Sequence, residues 1–203
     1  MKTLLLIDVQ NDFMPGGSLA VRDGQAIVPI INRIQPYFEH VIASQDWHPP
    51  EHLSFARNHP GRQVFEEIEL NGLPQTLWPA HCVQNSKGAQ LHADLNTAQI
   101  AAIFRKGTDP EIDSYSTFYD NGRRKSTGLT GYLKELSAKT LYFCGLAADF
   151  CVYFSIQDAL LAGFDCVLIE DATRAIDDDN YQNLRNKLHA DGVKLMTSEA
   201  LLN

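Results

Sequence analysis

At 203 residues the chain is long enough to bury a substantial core, and it fits one domain better than two. Hydrophobic residues make up 44% and charged residues 21%, an ordinary composition for a soluble globular protein. The net charge of −8 argues against a general nucleic-acid binder but leaves room for a local cation in a small-molecule pocket.

Taken in chain order, the first element is a strand at Thr3–Ile7, whose apolar run stops at Asp8. That run is too short for a signal peptide or a membrane span, and no later segment is long and apolar enough to cross a bilayer. A helical pattern at about Gly24–Phe38 precedes a strand at His40–Ser44. Residues 46–95 are rich in Pro, His, Asn and Gly and have little periodicity, so they read as one long structureless insert, functional or mobile in kind. Strands follow at Ala101–Phe104, Thr140–Cys144, Cys166–Ile169 and Gly192–Met196, with helices at about Gly128–Ser137, Phe150–Ala162 and Asn180–Ala190. Leu129, Leu133 and Leu136 show the apolar spacing of one such helix. Strands that are apolar on both faces and alternate with helices imply a doubly wound α/β domain. Its sheet is mainly parallel, of about six strands, with helices on both faces. Nothing marks a second domain, so residues 1–203 read as one domain carrying the insert.

The four cysteines, Cys82, Cys144, Cys151 and Cys166, form no CxxC pair and have no secretory context, which predicts reduced thiols in a cytoplasm. Cys144 and Cys166 lie inside apolar strands and read as packing residues.

In open parallel sheets, ligands bind beyond the carboxyl ends of the strands. Asp8 follows the first strand, Asp46 the second and Lys106 the third; the fourth leads into Gly145-Leu146-Ala147-Ala148-Asp149-Phe150-Cys151. A carboxylate, a lysine and a thiol therefore converge on one rim. Cys151 stands where a loop enters a helix, and the helix dipole together with Lys106 predicts a lowered thiol pKa. Asp8 is placed to take the thiol proton and return it to a leaving amine. Backbone N–H groups of the Ala147–Cys151 turn, at Ala147 and Cys151, form a candidate oxyanion site.

Asp46 and His48 are two apart, so both point to one face of an extended segment, and His81 completes an Asp/His/His set. Mixed carboxylate and imidazole donors suit one divalent transition metal, zinc, iron or manganese. His52 is either a further ligand or a hydrogen-bonding neighbour of the shell. His59 and His92 read as surface or structural histidines.

These residues, in this order, resemble the nicotinamidase/pyrazinamidase branch of the isochorismatase-like cysteine hydrolases. The matching stretches are Leu6-Ile7-Asp8-Val9-Gln10-Asn11-Asp12-Phe13, Gly16-Gly17-Ser18-Leu19, Asp46-Trp47-His48-Pro49, Trp78-Pro79-Ala80-His81-Cys82, Lys106-Gly107 and the segment ending at Cys151. Asp171-Ala172 extends the likeness into the next strand end. The resemblance implies hydrolysis of nicotinamide to nicotinic acid and ammonia in NAD salvage, with pyrazinamide as a second substrate, through a cysteine thioester. It implies Asp8, Lys106 and Cys151 as the catalytic triad and Asp46, His48 and His81 as metal ligands. It further implies Phe13, Leu19, Trp78 and Tyr115 as pocket walls, and it allows a cis peptide between Leu146 and Ala147. The expected partner is a small aromatic amide, with neither nucleic acid nor membrane; a homo-oligomer is left open.

The rival readings are a metal-free relative acting on a carbamoyl or ureido amide, and a metallohydrolase in which bound water attacks directly. A dinucleotide-binding dehydrogenase is disfavoured because the first strand-to-helix turn lacks G-x-G-x-x-G. A non-catalytic interaction domain is disfavoured by the intact triad and metal set.

Overall fold

The strands are β1 (Lys2–Ile7), β2 (His40–Asp46), β3 (Glu67–Leu70), β4 (Leu73–Thr76), β5 (Ile100–Lys106), β6 (Thr140–Leu146), β7 (Asp165–Arg174) and β8 (Lys194–Met196). The helices are α1 (Ile27–Ile34), α2 (Leu129–Glu135), α3 (Tyr153–Leu161), α4 (Asp178–Ala190) and the short α5 (Glu199–Leu202). They come from a computed structural model of the protein, which describes residues 2–202.

Among the described residues, six strands form one sheet in the order β5-β2-β1-β6-β7-β8, and every pairing in it is parallel. The chain winds outward from β1 through β2 to β5, then restarts at β6 and winds out the other way. The switch point lies between β1 and β6, the place where an open α/β sheet leaves a crevice beyond its strand ends. β1 shows how both faces are filled. Leu4 and Leu6 pack into one core with Ile27, Ile31 and Ile34 of α1, while Leu5 and Ile7 pack into the other with Leu133 of α2 and Ile156 of α3.

The predicted strands and helices fall in place, with shifted ends. The first helix is narrower than its pattern: α1 is flanked by 3-10 turns at Gly24–Ala26 and Gln35–Tyr37, the second holding Pro36, which cannot continue a helix. The helix expected from Phe150 begins earlier, as a π-helical turn at Ala148–Val152 that runs into α3. α4 begins at Asp178 because the Asp177 side chain accepts the N–H groups of Asp179 and Asn180. The last predicted strand is shorter, at β8 alone.

The insert is not structureless, and that expectation is corrected. β3 and β4 pair as an antiparallel hairpin, a 3-10 turn occupies Ala56–Asn58, and Phe55, Leu77 and Trp78 are buried. The hairpin turns on Asn71 and Gly72, both with positive φ, as a type I′ turn requires. Single bridges tie the insert down further, pairing His48 with Val83 and Phe55 with Trp78. No helix among the described residues is long and apolar enough to cross a membrane.

Candidate active site

Asp8 sits just past β1 in a left-handed backbone conformation (φ 47°) and is fully buried. Its backbone N–H donates to Ser44 Oγ (3.1 Å), and that hydroxyl donates back to Asp8 Oδ1 (2.6 Å). Lys106 ends β5, which is separated from β1 by β2, and its ammonium lies 3.0 Å from Asp8 Oδ2. The same ammonium donates to Asp46 Oδ1 (2.6 Å), to the Ser114 carbonyl (2.8 Å) and to Cys151 Sγ (3.4 Å). Asp8, Asp46 and Cys151 each place a donor atom within 4.8 Å of the others. The structure thus brings the three strand-end residues to one point around a lysine that has lost its water.

Burial alone would strip Lys106 of its proton, but Asp46 and Asp8 outweigh it and hold the ammonium well above the usual lysine range. Burial also opposes ionisation of Asp46, yet Lys106 and His48 pull its carboxyl well below the ordinary value. Asp8 goes the other way: desolvation raises it despite Lys106, with Asp46 adding to the rise. Cys151 departs from the sequence-based expectation. Desolvation pushes its thiol well up; Lys106 lowers it, but Asp8 and Asp46 add to the rise. A standing thiolate is therefore replaced by a neutral thiol beside a carboxyl whose proton affinity is raised. Such a pair is suited to passing one proton between them.

The second cluster adjoins the first through Asp46. Its Oδ2 lies 3.6 Å from His48 Nε2 and 3.7 Å from His81 Nε2. His48 Nδ1 is 2.9 Å from the Gly107 carbonyl and His81 Nδ1 is 2.8 Å from the Pro79 carbonyl. A carbonyl only accepts, so each Nδ1 carries a proton, and each Nε2 is the ring atom that faces Asp46. His48 Nε2 is buried without a hydrogen-bond partner. The orphaned His48 Nε2, the His81 imidazole and an ionised carboxylate, with ligand atoms within 4.8 Å of one another, fit a divalent metal, with the carbonyls fixing both rings.

His52 differs. Its Nδ1 accepts the Ser54 N–H (3.1 Å), which puts the proton of the neutral ring on Nε2. Burial and the neighbouring His48 lower its pKa to about 4, so the ring is neutral at ordinary pH. Its Nε2 is buried without a hydrogen-bond partner, and His52 also forms, with His48 and Asp113, a second set of possible ligand atoms within 4.8 Å of one another.

A small cavity opens onto both clusters. Phe13, Leu19, Trp78 and Tyr115 line it, with Asp46, His81, Ala147 and Cys151. Trp78 meets Tyr115 edge-on at 6.2 Å and Phe150 at 4.9 Å, forming an aromatic corner. Leu146 and Ala147 are joined by a cis peptide, and Ala147 stands beside Cys151 on the wall. Sequence reasoning missed Asp113, Phe150 and Ile176, which also line the cavity, and Ser44, which orients Asp8. Cys144 and Cys166 are buried in β6 and β7 as expected.

The model of the isochorismatase domain matches residues 2–200. The chain is 50% identical over 179 residues to the nicotinamidase of Escherichia coli, covering 86% of this chain and 84% of that one. A solved nicotinamidase/pyrazinamidase from Acinetobacter baumannii superposes with a TM-score of 0.96 at 46% identity, over 98% of this chain and 97% of the other. A pyrazinamidase of Pyrococcus horikoshii, solved in complex with zinc, has a TM-score of 0.80 at 32% identity, over 97% of this chain and 98% of that one.

Proposed function

The chain belongs to the isochorismatase family, and from that premise we propose that it hydrolyses nicotinamide to nicotinic acid and ammonia, with pyrazinamide as a second substrate, in NAD salvage. The observation that carries this reading is the shared position of Asp46, whose one oxygen meets Lys106 of the triad and whose other faces His48 and His81. A nucleophile and a metal set thereby share one small aromatic cavity, as an amide on a nitrogen-containing ring requires.

The Cys151 thiol gives its proton to Asp8 as sulfur attacks the carboxamide carbon. The carbonyl oxygen gains negative charge and takes hydrogen bonds from the Ala147 and Cys151 N–H groups, with Lys106 adding positive charge nearby. The tetrahedral adduct collapses, the C–N bond breaks, and Asp8 hands its proton to the departing nitrogen, which leaves as ammonia. Water then adds to the thioester while Asp8 takes its proton; sulfur leaves and recovers that proton, and the acid is released. Asp46, His48 and His81 would hold a zinc, iron or manganese ion that supplies a Lewis-acidic anchor for the ring nitrogen. Phe13, Leu19, Trp78 and Tyr115 enclose the ring, and the whole chain acts as one amidohydrolase domain.

The test is ammonia release from nicotinamide, pyrazinamide and a ureido amide, before and after chelation. Release from the two aromatic amides, lost on chelation and restored by added metal, is expected; preference for the ureido amide without metal would overturn the reading. Cys151→Ala should abolish release while metal stays bound, and retained turnover would sink the nucleophile assignment in favour of direct attack by water.

A further inference from the structure

Asp149 is a buried carboxylate that the reaction above does not use. It lies in the π-helical turn two residues ahead of Cys151 and is 1% exposed. Its two oxygens accept the backbone N–H of Ile176 (3.0 Å) and of Asp177 (2.9 Å). Burying a carboxylate is costly without such donors, and desolvation still raises its pKa against both bonds.

What it grips gives the arrangement meaning. Ile176 lines the cavity beside Ala147, Phe150 and Cys151. Asp177 is the N-cap of α4. The segment between β7 and α4 therefore presents one apolar side chain to the substrate, and its backbone is fastened to the nucleophile's own turn. One carboxylate holding two successive backbone N–H groups, at 3.0 and 2.9 Å, fixes both the distance and the orientation of that segment relative to the turn.

We infer that Asp149 is a positioning residue that fixes the Ile176 wall relative to Cys151, and that Ile176 limits which ring substituents the cavity accepts. This rests on the proposed aromatic-amide reading. A hydrophobic wall discriminates by sterics, and a change of one or two methylenes shifts relative kcat/KM by roughly tenfold or more. Asn in place of Asp149 keeps the shape but turns an amide N–H₂ toward one of the two backbone donors, which releases that side of the wall.

The experiment measures kcat/KM for nicotinamide and its ring-methylated derivatives in the full-length wild type, Ile176→Ala, Asp149→Asn and the double variant. Ile176→Ala is expected to raise the methylated-to-parent ratio roughly tenfold for at least one derivative. Asp149→Asn should raise the ratio for that same derivative by about threefold or more, and the double variant should add little to Ile176→Ala because both act at one wall. A fall by one common factor for every amide, with the ratio at its wild-type value, would overturn the inference and make Asp149 a scaffold residue. Asp149→Ser, which keeps an oxygen but not its reach, must shift the ratio in the same direction, and failure of both Asp149 variants to fold likewise assigns the residue to the scaffold. The proposed function fails separately, if the wild type releases no ammonia from nicotinamide.

Discussion

Gly107 shows how closely single atoms constrain the site. It has a positive φ of 63°, and a Cβ there would lie 2.3 Å from His48 Cε1, inside the imidazole that its own carbonyl orients. Gly107→Ala should therefore displace His48 and weaken metal binding by about 10- to 100-fold, read by competition with a chromophoric chelator. Unchanged affinity would mean that His48 is not held where the metal needs it. The thiol offers a second check. Because burial places the Cys151 pKa above the ordinary 9.0, its thiolate fraction should still be rising at pH 9. Inactivation by iodoacetamide should accelerate about tenfold per pH unit from 7 to 9 without levelling. A plateau near neutral pH would reveal a standing thiolate. Asp8, Asp46 and Lys106 were legible as candidates because they stand at strand ends, where an open sheet places chemistry, and Cys151 because it follows the fourth strand at a helix start; His48 came from its spacing to Asp46, and His81 from the insert. Ser44, Asp113 and Ile176 were not legible, since what they do depends on neighbours brought in by the fold. The direction of the Cys151 shift was hidden for the same reason: a helix start is visible in sequence, whereas complete loss of solvent is not.

At the scale of elements, the segment after Asp8 works as a fastener for the insert. Gln10 accepts the Asp46 N–H and donates to the Asp46 carbonyl, both at 2.8 Å, so its amide continues β2 as a strand neighbour would. Asn11 donates to the Lys87 carbonyl (2.8 Å). Asp12 accepts the N–H of Cys82 (2.7 Å), whose φ of 46° turns the chain directly after His81, and the N–H of Ser18 beside Leu19. Asp12→Ala should cost about 1–3 kcal/mol in denaturant unfolding and lower metal affinity as well, because the His81 loop loses its anchor. Loss of stability with metal affinity intact would confine Asp12 to the scaffold. The Asp-x-Gln-Asn-Asp-Phe pattern thus holds one acid beside Lys106, three side chains that brace its surroundings and one residue that lines the cavity. The hairpin β3–β4 escaped the sequence reading although Asn71-Gly72 signals such a turn. Each of its strands has four residues, too few for alternation to stand out, and Pro74 interrupts one of them.

For the whole molecule, fold class and strand placement followed from the alternation of apolar strands and helices, because a parallel sheet must be covered on both faces. The cavity did not follow, since its walls come from the segment after β1, the insert, the segment before α2, the turn after β6 and the segment between β7 and α4. The same architecture buries Lys106 at the rim of the sheet, 3.0 Å from Asp8 and 3.4 Å from Cys151. When the thiol proton crosses to Asp8, one negative charge moves between two atoms that flank the same fixed cation, and the total charge of the cluster does not change. Mobile ions in the solvent have little to respond to, because a buried charge that shifts by a few ångströms is scarcely screened. The chemical step should therefore proceed at nearly the same rate from roughly 10 mM to 1 M sodium chloride, a range over which the Debye length shrinks from about 30 to 3 Å. Single-turnover rates that fall steeply with salt would show that the charge transfer reaches solvent after all.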